Sequence, residues 1–392
     1  MDKRKLPLWM YAIPIAVAFA LPNMATPLME LWRDDIGFSS GTLVLIFVAY
    51  LGGLAPAFLF APALAQKFGQ RRTLAIAIVL GLVSCFFYIL GSEVWVLLIA
   101  RIFTGFCSGG LMVLGTVQLR QMAKTNEARK ATLFGTLGLA IGLAAGPLIA
   151  GLVAQWLPGP LRTVYVIEGF LLAGSLAIVL TLEETPKQEP KSWLPIGSVT
   201  GNTVRVVFAG LGAYGPGMTA ASIVLALAPT ILLGMAGVVG PLAAGLFAGG
   251  MYAVSPLAQS FLGSKQPLSV VRLSIAILLI SMAVLVSALY LENLWLLGLA
   301  AVLIGAGQGM SSLGGLGLVH QRVESDQVAS ATSLLSLGVY VSAAFVPLLG
   351  GVILDHGSLQ VAGLAMGIGV TFMALVGAAM ARDSFVEPEV VQ

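Results

Sequence analysis

Four charged residues stand where charge could do chemistry: Arg101, Glu168, Glu30 and Asp34. Arg101 lies inside an apolar run that starts near Val94, and Glu168 inside one that starts near Thr163. Each is about six residues from the same end of its run, so at about 1.5 Å per residue both sit about 9 Å deep. An ionised group in hydrocarbon costs roughly 2.5–3.5 kcal/mol on insertion scales, so such a group faces a bundle interior or a watery cavity. Equal depth permits a fixed ion pair that locks two helices. It equally permits a carboxylate that exchanges a proton while Arg101 sets its affinity. Snorkelling to the nearer interface is a third outcome. Glu30 lies a few residues from the end of its run and reads as interfacial and solvated. Asp34 and Asp35 read as a loop and helix-capping pair, with Asp34 kept among the proton-coupling candidates.

The elements that must position these residues are apolar runs long enough to cross a bilayer. Twelve start near Leu8, Gly41, Arg72, Val94, Ala131, Thr163, Val204, Ala236, Val271, Leu294, Val328 and Leu359. The chain is 58% hydrophobic and 9% charged, with a mean hydropathy of +0.98. Soluble domains carry about 25% charged residues, so most of this chain faces lipid. Of its 20 Lys and Arg, only Arg33 and Arg162 fall in odd-numbered connections, and Arg101 falls within a run. The others lie at the termini and in the even-numbered connections: Lys3, Arg4, Lys5, Lys67, Arg71, Arg72, Arg120, Lys124, Arg129, Lys130, Lys187, Lys191, Arg205, Lys265, Arg272, Arg322 and Arg382. The positive-inside rule then puts both termini in the cytoplasm of a multi-pass protein of the cytoplasmic (inner) membrane.

That partition accounts for the basic residues without a nucleic acid partner. They fit membrane lipid headgroups instead. Cys85 and Cys107 fall within spans and read as small apolar fillers. His320 and His356 lie near opposite faces. No metal-ligand or catalytic constellation is visible, so neither an enzyme nor a metal protein is expected. The run after the basic start Met1 to Lys5 is too long for a signal peptide and reads as the first span.

Residue n matches residue n+200 across spans four and five. Trp95, Gly105, Gly109, Gln121, Gly138, Pro147 and Gly151 correspond to Trp295, Gly305, Gly309, Gln321, Gly338, Pro347 and Gly351. Such a register predicts two related six-helix halves with the same orientation. The expected organisation is a bundle over 1–182, a charged, proline-bearing linker over 183–203, and a second bundle over 204–392. The fold class is therefore all-α, with twelve transmembrane helices in two pseudo-symmetric six-helix bundles. The halves differ where chemistry is expected: Ala301 matches Arg101, and Ile368 matches Glu168. Span five carries Gly135, Gly138, Gly142, Gly146 and Gly151 on one face, with Pro147 among them. A partner helix can approach that face closely, and a helix of the second half is the expected partner of Gly146.

Three stretches resemble the major facilitator superfamily, most closely its twelve-span drug:proton antiporters, and the resemblance covers essentially the whole length. Pro62 to Arg72 is similar to the loop motif between spans two and three, through Lys67, Gly69, Arg71 and Arg72. Pro62 and Gln66 replace a glycine and an aspartate of the pattern, which removes the usual ionic latch and leaves Gln66 able to hydrogen-bond. Leu98 to Gly105 resembles the span-four motif of proton-coupled members, whose arginine, here Arg101, is implicated in proton transfer. Gly142 to Gly151 resembles the antiporter motif of span five, which marks exporters; Gly142, Gly146, Pro147 and Gly151 carry it.

The resemblance implies a central cavity lined by spans one, four, seven and ten. Phe19, Asn23, Met112, Tyr214, Met218, Gln308, Ser311 and Ser312 are its candidate lining residues. A cavity so apolar suits lipophilic substrates. The expected function is a proton-coupled exporter of small lipophilic compounds working by alternating access, as a monomer, with no cofactor beyond the proton gradient. An uptake symporter or facilitator of the same fold is the first alternative. A membrane receptor or assembly partner that lost transport is the second.

Overall fold

In lipid every backbone N–H and C=O must be satisfied within the chain, which leaves helices or closed barrels as spanning structures. The computed structural model describes residues 6–124, 127–190, 192–194, 199–236, 240–262, 265–324 and 327–383, and among these all regular secondary structure is helical. Among these, twelve helices are long and apolar enough to cross a membrane. They are Leu8–Ile36, Gly41–Phe68, Gln70–Ile89, Val94–Met122, Phe134–Trp156, Pro160–Leu180, Gly201–Ala228, Pro241–Leu262, Pro267–Tyr290, Leu294–Val319, Ser330–His356 and Leu359–Met380, and they are numbered here as spans one to twelve.

Spans one and four, which bear candidate residues, are irregular. Span one is interrupted: an α-helix over Ile13–Met24, a 3-10 turn over Thr26–Leu28, then an α-helix over Met29–Ile36. Pro27 has no N–H to give the ladder, so the break has a covalent cause. Span four is α-helical over Val94–Gly110, widens to a π-turn over Leu111–Gly115, and resumes as Thr116–Met122. Its repeat partner, span ten, is one unbroken α-helix over Leu294–Arg322.

Contacts divide the chain into two compact units. The first is Met1–Leu194 with Ala228–Leu233 and Gly237–Ala253; the second is Pro195–Leu227 with Gly234–Ala236 and Val254–Gln392. The main division thus falls within the stretch expected to be the linker, while the first part of span eight packs with the first unit.

Within each unit the helices repeat one packing scheme. A Cβ built on Gly109 of span four would lie 2.7 Å from the Ala57 Cβ of span two. One built on Gly309 of span ten would lie 2.9 Å from the Ser255 Cα of span eight. Likewise Gly138 of span five meets the Ala12 carbonyl at 3.0 Å, and Gly338 of span eleven meets Leu211 of span seven at 3.1 Å. Small residues permit these close approaches, and the sequence register of 200 becomes a register of contacts.

Candidate transport site

Arg101 is fully buried in the first unit. Its Nη1 donates to the Pro22 carbonyl at 2.7 Å, and its guanidinium lies 5.7 Å from the centroid of the Phe47 ring. Pro22 belongs to the last turn of the helix Ile13–Met24, so the cation faces the negative end of a broken helix. Nε and Nη2 of Arg101 have no hydrogen-bond partner.

Glu168 is also fully buried, and neither of its carboxyl oxygens has a hydrogen-bond partner. The ion pair that equal depth permits is therefore not formed. Depth alone does not decide contact, because the two residues point to different neighbours. Arg101 turns toward spans one and two, whereas Glu168 lies in the electrostatic environment of Cys85 and Cys107. Tyr165 lies within electrostatic reach of both Arg101 and Glu168. It stacks on Tyr88 with centroids 4.1 Å apart, and Trp32 lies 5.6 Å from Tyr88 and 6.0 Å from Tyr165. The Trp32 Nε1 and the Tyr165 hydroxyl have no partner either. This aromatic group escaped the sequence reading because its three rings come from three spans, and no spacing within one helix announces it. Two hydroxyls brace the Arg101 helix: Ser84 donates to the Ala100 carbonyl at 2.8 Å and Ser108 to the Ala18 carbonyl at 2.8 Å.

Glu30 is half-buried rather than solvated. It accepts from the Thr230 hydroxyl at 3.0 Å and pairs with Arg33 at 3.5 Å. Asp34 and Asp35 are exposed in the last turns of the helix Met29–Ile36, which ends at Gly37 with φ of 83°. They cap nothing: Ser39 is the N-cap of the next helix and accepts from the Thr42 N–H at 3.2 Å. The acidic pair falls one turn too early, at a helix end whose free groups are carbonyls.

The glycine face of span five divides between two partners. Gly142 lies against the Ala16 carbonyl and 2.8 Å, measured from a built Cβ, from the Phe19 Cβ; Gly146 lies against the Ala20 carbonyl. Gly146 thus meets span one of its own half, which corrects the expectation of a second-half partner. Gly151, one turn beyond Pro147, does meet span eight, at 2.9 Å from the Pro241 carbonyl and 3.3 Å from the Gly245 Cα. In return Gly245 packs against the Pro147 carbonyl.

In the loop motif Gly69 has φ of 96°, a conformation open to glycine, and a side chain there would strike Glu184. Glu184 accepts from Arg71 Nε at 3.1 Å and lies 3.7 Å from Arg72 Nε. Arg71 Nη1 also donates to the Leu182 carbonyl at 3.1 Å, and Lys67 lies 5.2 Å from the centroid of the Trp193 ring. Gln66 contributes through its backbone, its carbonyl accepting from the Gln188 N–H at 2.8 Å. The segment after span six therefore holds this loop, through Glu184, the Leu182 carbonyl and the Gln188 N–H.

The Major Facilitator Superfamily model matches residues 11–291. The chain belongs to the major facilitator superfamily. An "Uncharacterized transporter YebQ" of Escherichia coli (strain K12) is 23% identical over 224 residues, which are 55% of this chain and 47% of that protein. The match thus spans about half the length of this curated relative. Among solved structures, a D-xylose-proton symporter superposes with a TM-score of 0.75 at 15% identity, over 97% of this chain and 98% of that one. The POT family transporter PepTSo gives a TM-score of 0.75 at 14% identity, over 98% of this chain and 100% of that one. Such identities establish the fold alone, and the family model carries the superfamily.

The lining residues that the superfamily resemblance implied fall into two sets. In the first unit Phe19 and Asn23 are buried, with Asn23 Nδ2 donating to the Phe19 carbonyl at 2.7 Å. Met112 lies in the π-turn of span four. In the second unit Tyr214 packs on Gly315, and Ser311 packs on Gly217. Gln308 Nε2 lies 4.0 Å from the Met218 sulfur, its Oε1 has no partner, and Ser312 accepts from Gln259 Nε2 at 3.2 Å. Seven of the eight are buried side chains, so helix packing claims most of their surface. Among the described residues no cluster suited to a metal ion is present.

Proposed function

We propose that this superfamily member exports small lipophilic compounds in exchange for protons, by alternating access and without a cofactor. One observation carries the coupling: Glu168 is fully buried with no cation and no donor, in the same unit as an arginine with unused N–H groups. Burying an uncompensated carboxylate costs several kcal/mol, so Glu168 carries a proton in this state. Losing that proton requires water or Arg101 to reach it, and Tyr165 lies within electrostatic reach of both charged residues. A rearrangement of the first unit can thus be tied to one proton. Export rather than uptake rests on the span-five motif, Gly142 to Gly151. Partners are the substrate, protons and membrane lipid, with a monomer in the inner membrane and both termini cytoplasmic.

Uptake symport is a second reading, because a buried carboxyl serves either direction and the D-xylose-proton symporter shares the fold. Inverted membrane vesicles acidified inside separate the two. An exporter accumulates ethidium in them and raises their internal pH as it does so. An uptake symporter instead lets protons and solute leave together. Ethidium movement that ignores the pH difference would end the coupling reading.

A further inference from the structure

We propose that Gln70 is a positioning residue: it holds the π-turn of span four and so sets the rotation of the Met112 segment relative to the Arg101 segment. A π-turn adds one residue to the α-helical ladder and leaves backbone carbonyls short of partners. Here three consecutive carbonyls are served by side chains. The single Thr116 Oγ1 proton is shared between the Met112 carbonyl at 2.9 Å and the Val113 carbonyl at 3.2 Å. Gln70 Nε2 donates to the Leu114 carbonyl at 3.0 Å, and Gln70 is buried. A carbonyl only accepts, so the orientation of the amide is fixed by this bond. Gln70 is itself anchored, its backbone N–H donating to Thr185 Oγ1 at 3.0 Å.

The second half supplies a control within the same chain. In the register of 200, Gln70 corresponds to Val270 and Thr116 to Leu316, neither of which can donate a side-chain hydrogen bond. Val270 shares a buried cluster with Met310 of span ten, so the position approaches the same helix in both halves. Span ten has no π-turn. Both donors and the turn are present together in one half and absent together from the other.

An extra residue turns everything after it by about 100°, given 3.6 residues per turn. If the turn collapsed to α-helix, Met112 would leave its present face. The consequence for substrate choice rests on the reading that Met112 borders the transport path; the structural role of Gln70 does not.

The test is a cycle on the full chain. One arm is Gln70→Leu, and the other deletes Val113 to remove the extra residue. Thermal unfolding in detergent needs no substrate. Gln70→Leu is expected to lower the midpoint in the wild-type background and to leave it unchanged in the deletion background, while Gln70→Lys, which can still donate, restores part of it. Equal losses in both backgrounds would overturn the proposal. Transport of ethidium and of the bulkier rhodamine 6G forms the second readout. Gln70→Leu is expected to shift the ratio of their kcat/KM values by about tenfold, the equivalent of one hydrogen bond at the upper end of its usual worth. A coupled stability loss with an unchanged ratio overturns the role of Met112 in selectivity and keeps the clamp.

Discussion

Spans four and ten pack alike on spans two and eight, through Gly109 on Ala57 and Gly309 on Ser255. They nevertheless differ in every feature that could do work. Span four carries a buried cation at Arg101, where span ten has the buried Ala301. Span four contains a π-turn, and span ten is regular. The scaffold is therefore duplicated and the charge is not. One half carries the buried charged residues Arg101 and Glu168, while span ten of the other supplies the buried neutral groups of Gln308, Ser311 and Ser312. The lesson is that packing residues survive duplication because close approach is a geometric requirement. A buried charge is costly wherever it has no task.

The largest effect should come from exchanging that difference. Arg101→Ala removes a charged donor from the Pro22 carbonyl and leaves that helix end uncapped. Loss of a hydrogen bond to a charged group costs about 1.5–3 kcal/mol, so the variant should remain foldable yet lose pH-driven transport. Substrate binding should survive. The check is ethidium binding by fluorescence beside ethidium transport in vesicles; transport retained at full rate would remove Arg101 from the mechanism. Arg101→Lys should recover little, since lysine keeps the charge and loses the planar fork that reaches both the carbonyl and the ring of Phe47. The mirror change, Ala301→Arg, should only destabilise.

Next in size is Gly146→Leu, which drives a side chain into the Ala20 backbone. Overpacking a close contact costs about 1–3 kcal/mol, and here the neighbour is backbone, which yields less than a side chain. The expected outcome is a thermal midpoint lowered by several degrees and transport strongly reduced. The second half carries Val346 at this position, so Val346→Gly should be mild. If both changes cost the same, the close face is not confined to one half.

Gly69→Ala should cost less in transport and about 1–3 kcal/mol in stability, the usual price of a strained backbone position. Its φ of 96° and its contact with Glu184 act together. In the Glu184→Ala background the steric part of the loss should vanish and the backbone part remain. An additive result would show that the two do not meet.

Much of this was legible in the sequence, and unevenly so. Twelve spans follow from hydropathy, because lipid admits no other solution for so apolar a chain. The repeat was legible where close packing demands glycine or proline. It slipped where only hydrophobicity is demanded: the register of 200 pairs Glu168 with Ile368, yet Ile368 is 60% exposed and Glu168 is fully buried. The buried face of span twelve runs through Ala362, Met366, Val370 and Ala374, so Ile368 lies off that face, between the buried Met366 and Val370. The direction in which Arg101 points was not legible either. A lone charge in a span announces its depth, whereas its azimuth depends on which neighbours leave room.

The smallest expected effect on stability is the most informative. Glutamine has the size of a protonated glutamate side chain and carries no charge. If Glu168 holds its proton, Glu168→Gln exchanges one neutral, unpartnered group for another, and stability should change by no more than about 0.5 kcal/mol, the scale of a benign substitution. If the carboxyl were ionised in its present surroundings, removing the charge would stabilise the protein by several kcal/mol, because no cation or donor compensates it. Thermal unfolding at neutral pH therefore reads the protonation state directly. The same variant should lose the dependence of ethidium transport on the pH difference, since it has no proton to release. Met366→Glu completes the comparison: it places a carboxyl at a buried position of span twelve, in a half that has Ala301 where the first has Arg101. That variant should lower the midpoint clearly and confer no coupling. Near-equal stability of Glu168→Gln and wild type, with coupling lost in the first, is the result that assigns the proton to one half of a duplicated scaffold.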